Sequence, residues 1–274
     1  MSLLNNFKIL VGTIVLVVIV LIGCREPRGS IAEKGLFGLH LHAYIDTNLV
    51  LTGQGANEYS QEFQDHYKRW MNITTANVYI TNVGLHSQTS GNWYTIPGSI
   101  LMKRLEQELY IIDSVPTDTY DNVRFTVGLG SAFDSISRLN ISPASPDSVL
   151  ASPLMYAGAG KGYYIMYLAG NIDTSSGHQL INPIPFTYQI AGDTMVVSPP
   201  AASGGNTFSI IPASQFQGPQ LIHIILDYGK LLESFPITVP TNVNTFTTPA
   251  LAAPVLDSIP GMFRYECSVP TKDC

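Results

Sequence analysis

His40 and His42 stand two residues apart in LFGLHLHAYI, residues 36–45, a stretch that alternates with period two. The alternation sets Leu39, Leu41, Ala43 and Ile45 on one face and His40, His42 and Tyr44 on the other. Two imidazoles so placed have Cα atoms about 7 Å apart, close enough to chelate one transition-metal ion through neutral ring nitrogens. The same pattern is also the ordinary polar outer face of a half-buried strand, and both readings stand on the sequence. His223 in LIHIILDY alternates with Leu221 and Ile225 and reads as a surface or edge histidine. His66, His86 and His178 fall in or near loops and carry no assignment. Met155 and Met166 carry thioether sulfur, but core packing suits them better.

Other chemistries are poorly served. There is no G-x-S-x-G elbow and no H-E-x-x-H pair, and Asp113, Asp134 and Asp173 are scattered without acid–base spacing. GAGKG, residues 158–162, lacks the hydroxyl residue after Lys161 and leads into a strand rather than the helix that phosphate cradling needs. The expectation is a protein that is not an enzyme. Cys267 and Cys274 in CSVPTKDC are expected to form a disulfide in an oxidising compartment, with a metal pair as the alternative.

The N-terminus has the form of an address. Lys8 precedes an apolar run, Ile9 to Gly23, that is shorter than the roughly 18–20 residues of a spanning helix. LIGC, residues 21–24, resembles a bacterial lipobox, with a plain membrane anchor as the alternative. On the lipobox reading residues 1–23 are a lipoprotein signal peptide, Cys24 carries the lipid and holds the protein to a membrane, and residues 24–34 are a tether. Arg25 does not favour retention in the inner membrane, so the expected location is the cell envelope, as an outer-membrane lipoprotein facing the periplasm or the cell surface. The formal charge is −6, only 12% of residues are charged, and no basic block occurs, which argues against a nucleic-acid partner.

The elements that would position these residues are short strands. Glycine and proline are plentiful, at 23 and 18 residues, and turn signals separate apolar-alternating runs. Strands are expected at residues 36–45, 76–85, 108–115, 123–130, 162–170, 185–192, 207–212 and 221–228. Helical signals are limited to residues 100–107, a turn after Ser131, and residues 249–259. The expected fold is all-β: one antiparallel β-sandwich of about eight strands with Greek-key-like connections and few short helices, spanning residues 35–265. Residues 266–274 are expected to be a tail.

Seven blocks in order (ANVYITNVGL, LYIIDS, RFTVGLGSAFDSIS, SPLMYAGAGKGYYIMYLAG, FTYQIAG, LIHIILDYGKLL and LAAPVLDSIPGMF) resemble the MbnP-like copper-binding domain family, whose members are bacterial lipoproteins of Bacteroidota type with a sandwich fold. The resemblance implies copper as the ligand and a di-haem peroxidase partner that oxidises a tryptophan of the site. The family pattern Met-Tyr-Trp-x-Trp-x-x-Gly-Tyr, closing in Leu-x-Gly, is matched by Met155, Tyr156, Gly162, Tyr163, Leu168 and Gly170. Ala157 and Ala159 stand where the tryptophans belong. Ile111 and Gln189 stand where the family often has histidine. The family role is therefore copper binding, with a site that reads as degenerate at Ile111, Ala157, Ala159 and Gln189. The alternative is a metal-free structural or ligand-interaction lipoprotein. A surface of Trp93, Tyr156, Tyr163 and Tyr164 that takes glycan or peptide is a further reading.

Overall fold

In a computed structural model of the chain, residues 33–45, 48–49, 62–65, 67–142, 144–159, 161–173, 180, 182–200, 207–233, 244–245 and 249–269 are described. The elements belong to the unit Lys34–Cys274. Its strands begin with β1 (Lys34–Ile45), β2 (Asn48–Leu49), β3 (Phe63–Gln64), β4 (Trp70–Ser87), β5 (Trp93–Thr95), β6 (Ile100–Arg104), β7 (Leu109–Pro116) and β8 (Asp118–Val127). They continue with β9 (Tyr156–Gly158), β10 (Gly162–Tyr163), β11 (Met166–Asp173), β12 (Ile184–Ile190), β13 (Met195–Val197), β14 (Phe208–Ile210), β15 (Gln220–Asp227) and β16 (Phe263–Val269). Two short helices, α1 (Tyr228–Glu233) and α2 (Ala252–Ser258), follow β15.

Alternation of apolar and polar residues builds two sheets with one shared interior. The first runs β16-β15-β1-β2, with β7 on the free part of β1; the second runs β12-β11-β4-β8-β13, with β3, β5 and β6 on β4 and β14 on β8. Leu39 and Leu41 of β1, Ile222 and Ile224 of β15, Val78 and Ile80 of β4, and Phe125 of β8 meet in that interior. The ring of Phe125 stands edge-on to Phe263 of β16 at 5.0 Å. A smaller cluster of Tyr79, Met102, Leu150, Met155 and Tyr163 packs to one side, so Met155 is core. Met166 is core as well.

The all-β sandwich is as expected, and the differences have physical causes. β1 and β15 pair in parallel, not antiparallel; β15 lies between β1 and β16 and is buried along its whole length. A strand covered on both faces reads as an unbroken apolar run, which is how LIHIILDY reads. Residues 100–107, expected to be helical, instead give strand β6, which pairs with Asn77 to Thr81 of β4. A run of three apolar residues, Ile100 to Met102, is too short for its period to decide, and pairing with β4 decides it. The stretch 162–170 is two strands, β10 and β11, interrupted at Tyr164 and Ile165. β16 carries the first sheet to Val269, so Cys267 lies in a strand and not in a tail. Cys267 is disulfide-bonded; Cys274, the signal region and the lipid-bearing Cys24 lie outside the described residues.

Where β11 crosses β4 the register shifts at Gly170, and a Cβ there would stand 2.0 Å from the Asn72 carbonyl and 2.7 Å from the Phe186 ring. Gly170→Ala is expected to cost about 1–3 kcal/mol, at the upper end because a backbone atom is struck. Phe125→Ala is expected to cost about 3–5 kcal/mol. Urea unfolding midpoints at unchanged slope measure both; a Gly170→Ala variant as stable as the parent contradicts the first.

Candidate metal centre

The register of β1 on β15 sets His40 directly opposite His223. Paired residues of neighbouring strands share a face, and His42 lies two residues further along that face. The interior faces of both strands are apolar, so all three imidazoles point to the outer side of the sheet. That side is nevertheless covered: His223 is 0% exposed and His40 7%, while the His42 side chain keeps 15%.

Within this patch the ring nitrogens converge. His42 Nε2 lies 3.1 Å from His40 Nδ1 and 3.3 Å from His223 Nδ1, and one nitrogen from each ring falls within 4.8 Å of the others. Ligands bound at 2.0–2.1 Å to one ion stand about 2.9–3.5 Å apart across the common geometries. Three imidazoles are a donor set that suits copper or zinc.

Carboxylates stand on the far sides of two of the rings. Glu108 Oε2 is 3.3 Å from His40 Nε2, and Glu266 Oε2 is 3.7 Å from His42 Nδ1. Glu108 arrives from the turn between β6 and β7, which is stitched to β1 by the Leu41 amide donating to the Glu108 carbonyl at 2.8 Å. Lys103 braces the same turn: it is fully buried and its ammonium donates to the carbonyls of Arg104 and Gln107 at 2.6 Å each. The Tyr110 hydroxyl accepts from the Arg104 amide and donates to the Met102 carbonyl. Glu266 reaches the histidine face through a β-bulge. His223 pairs with Cys267 and Ile224 with Tyr265, leaving Glu266 as the extra residue that a bulge re-aims.

The electrostatics favour a neutral imidazole at His42. Burial, and next the neighbouring His40, push the His42 pKa down to about 4, with Glu108 opposing. Burial also raises Glu266, against the pull of Arg264 and His40, and lowers Lys103 to about 8. Suppose the outward nitrogens of His40 and His42 carry hydrogens facing the two carboxylates. Then His40 Nδ1 and His42 Nε2 present lone pairs to each other at 3.1 Å. Two lone pairs at that distance repel unless a cation lies between them. In metal-free protein a hydrogen on one of the two nitrogens closes the gap as a hydrogen bond, and a bound metal ion would take its place.

His40 and His42 are thus brought together, with ring nitrogens 3.1 Å apart. His223, expected at a surface or edge, is instead a buried residue of an inner strand and the third imidazole of the cluster. The uninterrupted apolar run around it is the signal that could have found it. The four degenerate positions fall elsewhere. Ile111 lies on β7, 49% exposed. Ala157 lies on β9, with Ala159 in the turn that follows. The backbone of Gln189 on β12 is held by the Thr245 hydroxyl. His86 binds Asp121 at 2.6 Å and the Gly91 carbonyl at 3.1 Å, and His66 and His178 lie outside the described residues. The tyrosine surface is not assembled as one face: Tyr163 is 8% exposed with its hydroxyl on the Ile136 carbonyl, and Trp93 is covered by the Arg124 guanidinium at 4.1 Å.

Residues 34–250 match the model of the MbnP family. No curated protein sequence matches the chain. Among solved structures, MbnP from Methylosinus trichosporium is similar, with a TM-score of 0.47 and 11% identity over 73% of this chain and 78% of that one.

In metal-free protein the depressed His42 pKa has a consequence for stability. Between its ordinary value of 6.5 and about 4 the unfolded chain binds a proton that the folded chain refuses. Stability therefore falls as the pH falls through that window and levels off below it. Urea midpoints at about pH 7 and about pH 4.5 should draw together in His42→Gln; an undiminished difference contradicts the assignment.

Proposed function

Because the chain belongs to the MbnP family, we propose that it is a copper-binding module of the cell envelope, with His40, His42 and His223 as the ligands. One observation carries the reading: three imidazole nitrogens, from strands far apart in sequence, converge within 4.8 Å in a covered patch. Their chemistry fits copper, for which imidazole is a suitable donor. Bound there, the ion would be held by ring nitrogens alone, and the protein's part is to orient the rings and exclude water.

The proposal departs from the family's tryptophan chemistry. Ala157 and Ala159 offer no indole to oxidise and Ile111 no lone pair, so no di-haem peroxidase partner is assigned. Without an elbow serine or a metalloprotease helix in the sequence, the role is binding and not catalysis. We assign the lipid to Cys24, which would tether the domain outside the cytoplasm, on the outer membrane. A second reading, a metal-free structural or interaction lipoprotein, draws on the donor-free side chains at Ile111, Ala157 and Ala159.

Metal analysis of the mature protein after copper loading and dialysis separates the two. One copper per chain is expected, and His42→Ala should lose it. Copper at about 100-fold above its dissociation constant adds about 2.7 kcal/mol of stability, or roughly 5–10 °C in melting temperature for a domain of this size. A stoichiometry near zero with an unchanged melting temperature overturns the copper reading and favours the second.

A further inference from the structure

Each imidazole that gives one nitrogen to a metal has a second nitrogen to satisfy, and in this site those outward nitrogens of His40 and His42 face carboxylates. We infer that Glu108 and Glu266 are the positioning residues of the histidine site: Glu108 takes the Nε2–H of His40 and Glu266 the Nδ1–H of His42, which turns Nδ1 of the first ring and Nε2 of the second inward as bare lone pairs. The inward lone pairs rest on the metal-binding reading, because at 3.1 Å they need a cation between them; the contact of Glu108 with His40 does not.

Three features support it. The Glu108 contact is close, at 3.3 Å, and the turn that carries it is over-determined. The Leu41 amide, between the two histidines, holds the Glu108 carbonyl, and the buried Lys103 ammonium holds the carbonyls of Arg104 and Gln107. Placing a lysine with no exposure beneath a four-residue turn is costly unless its charge is used, and here it fixes the approach of a carboxylate to His40. Next, the bulge leaves Glu266 as an extra residue between Tyr265 and Cys267, with its carboxylate toward His42. Bulges of this kind re-aim side chains beside functional sites. Lastly, Glu266 Oε2 is buried and has no hydrogen-bond partner among the described residues, while the nearest His42 nitrogen is 3.7 Å away. That gap is about half an ångström beyond a direct hydrogen bond, so a small side-chain rotation completes the contact.

The two carboxylates do for these rings what outer partners do at metal sites in general: they fix the tautomer and the ring plane and raise ligand basicity. They also bring negative charge to a patch whose ligands are neutral, which suits a cation and disfavours an empty site.

Two measurements on the mature protein test this. In a Cu(I) competition against a chromophoric chelator, Glu108→Ala and Glu266→Ala should each weaken binding by about 10–100-fold. Glu108→Gln should keep most of the affinity, because its amide oxygen still accepts the His40 N–H. Long-range proton–nitrogen NMR of the imidazoles should show His40 as the Nε2–H tautomer in metal-free protein and His42 as the Nδ1–H tautomer in Cu(I)-loaded protein, and each alanine variant should release the tautomer of its own histidine only. An affinity within about twofold of the parent in both alanine variants overturns the inference, as does a His40 ring carrying its hydrogen on Nδ1. If the parent protein binds no copper, the metal-binding reading fails, and the metal-free tautomer of His40 alone then decides whether Glu108 orients its ring.

Discussion

The whole site hangs on one pairing register, that of β1 against β15. His40 stands opposite His223 because Leu39, Leu41 and Ala43 on one strand and Ile222, Ile224 and Leu226 on the other must all face the interior. A slip of one residue along β15 would turn its entire apolar set outward and His223 inward. Each buried aliphatic side chain is worth about 1.5–3 kcal/mol, so the hydrophobic face holds the polar face in place. The hydrogen bonds between the rings are not what gathers the histidines. They are gathered because their strands have no other way to bury leucine and isoleucine.

The polar surroundings are arranged around that imposed cluster. Burying Lys103 demands carbonyl partners, and it finds them in the turn 104–107, which is then rigid enough to present Glu108. Tyr110 secures the same turn through its hydroxyl. On the other flank a single inserted residue in β16 exchanges a regular ladder for an extra carboxylate. Both flanks trade backbone regularity for a side chain aimed at an imidazole. Neither device resembles the tryptophan-bearing loop of the family pattern, whose equivalent, β9 to β10, has become a small ribbon.

Much of this was legible from residue types alone. The period-two pattern of residues 36–45 located β1 and the shared face of His40 and His42, since that face is a local property. The strands at 76–85, 108–115, 123–130, 185–192 and 221–228 were legible for the same reason. What was hidden is non-local. Nothing in LIHIILDY announces that it lies parallel to β1, and a histidine flanked by apolar residues looks like an edge residue until both faces are known to be covered. The strand nature of residues 100–104 was decided by β4 and not by its own composition. Glu108 and Glu266 carried no signal at all, because a turn brace and a bulge are read only from backbone pairing. Ala157 and Ala159 carry no donor, and they bear on the family's loop and leave the histidine patch untouched.

The separation of the ligands along the chain has a temporal meaning. His42 and His223 are 181 positions apart, and Glu266 follows later still. A nascent or unravelled polypeptide therefore holds only the two histidines of its first strand close together. The three-imidazole cluster waits until β15 has docked beside β1, an event of high contact order and correspondingly slow. The cluster is thus a property of the folded chain alone, absent from any extended form of it.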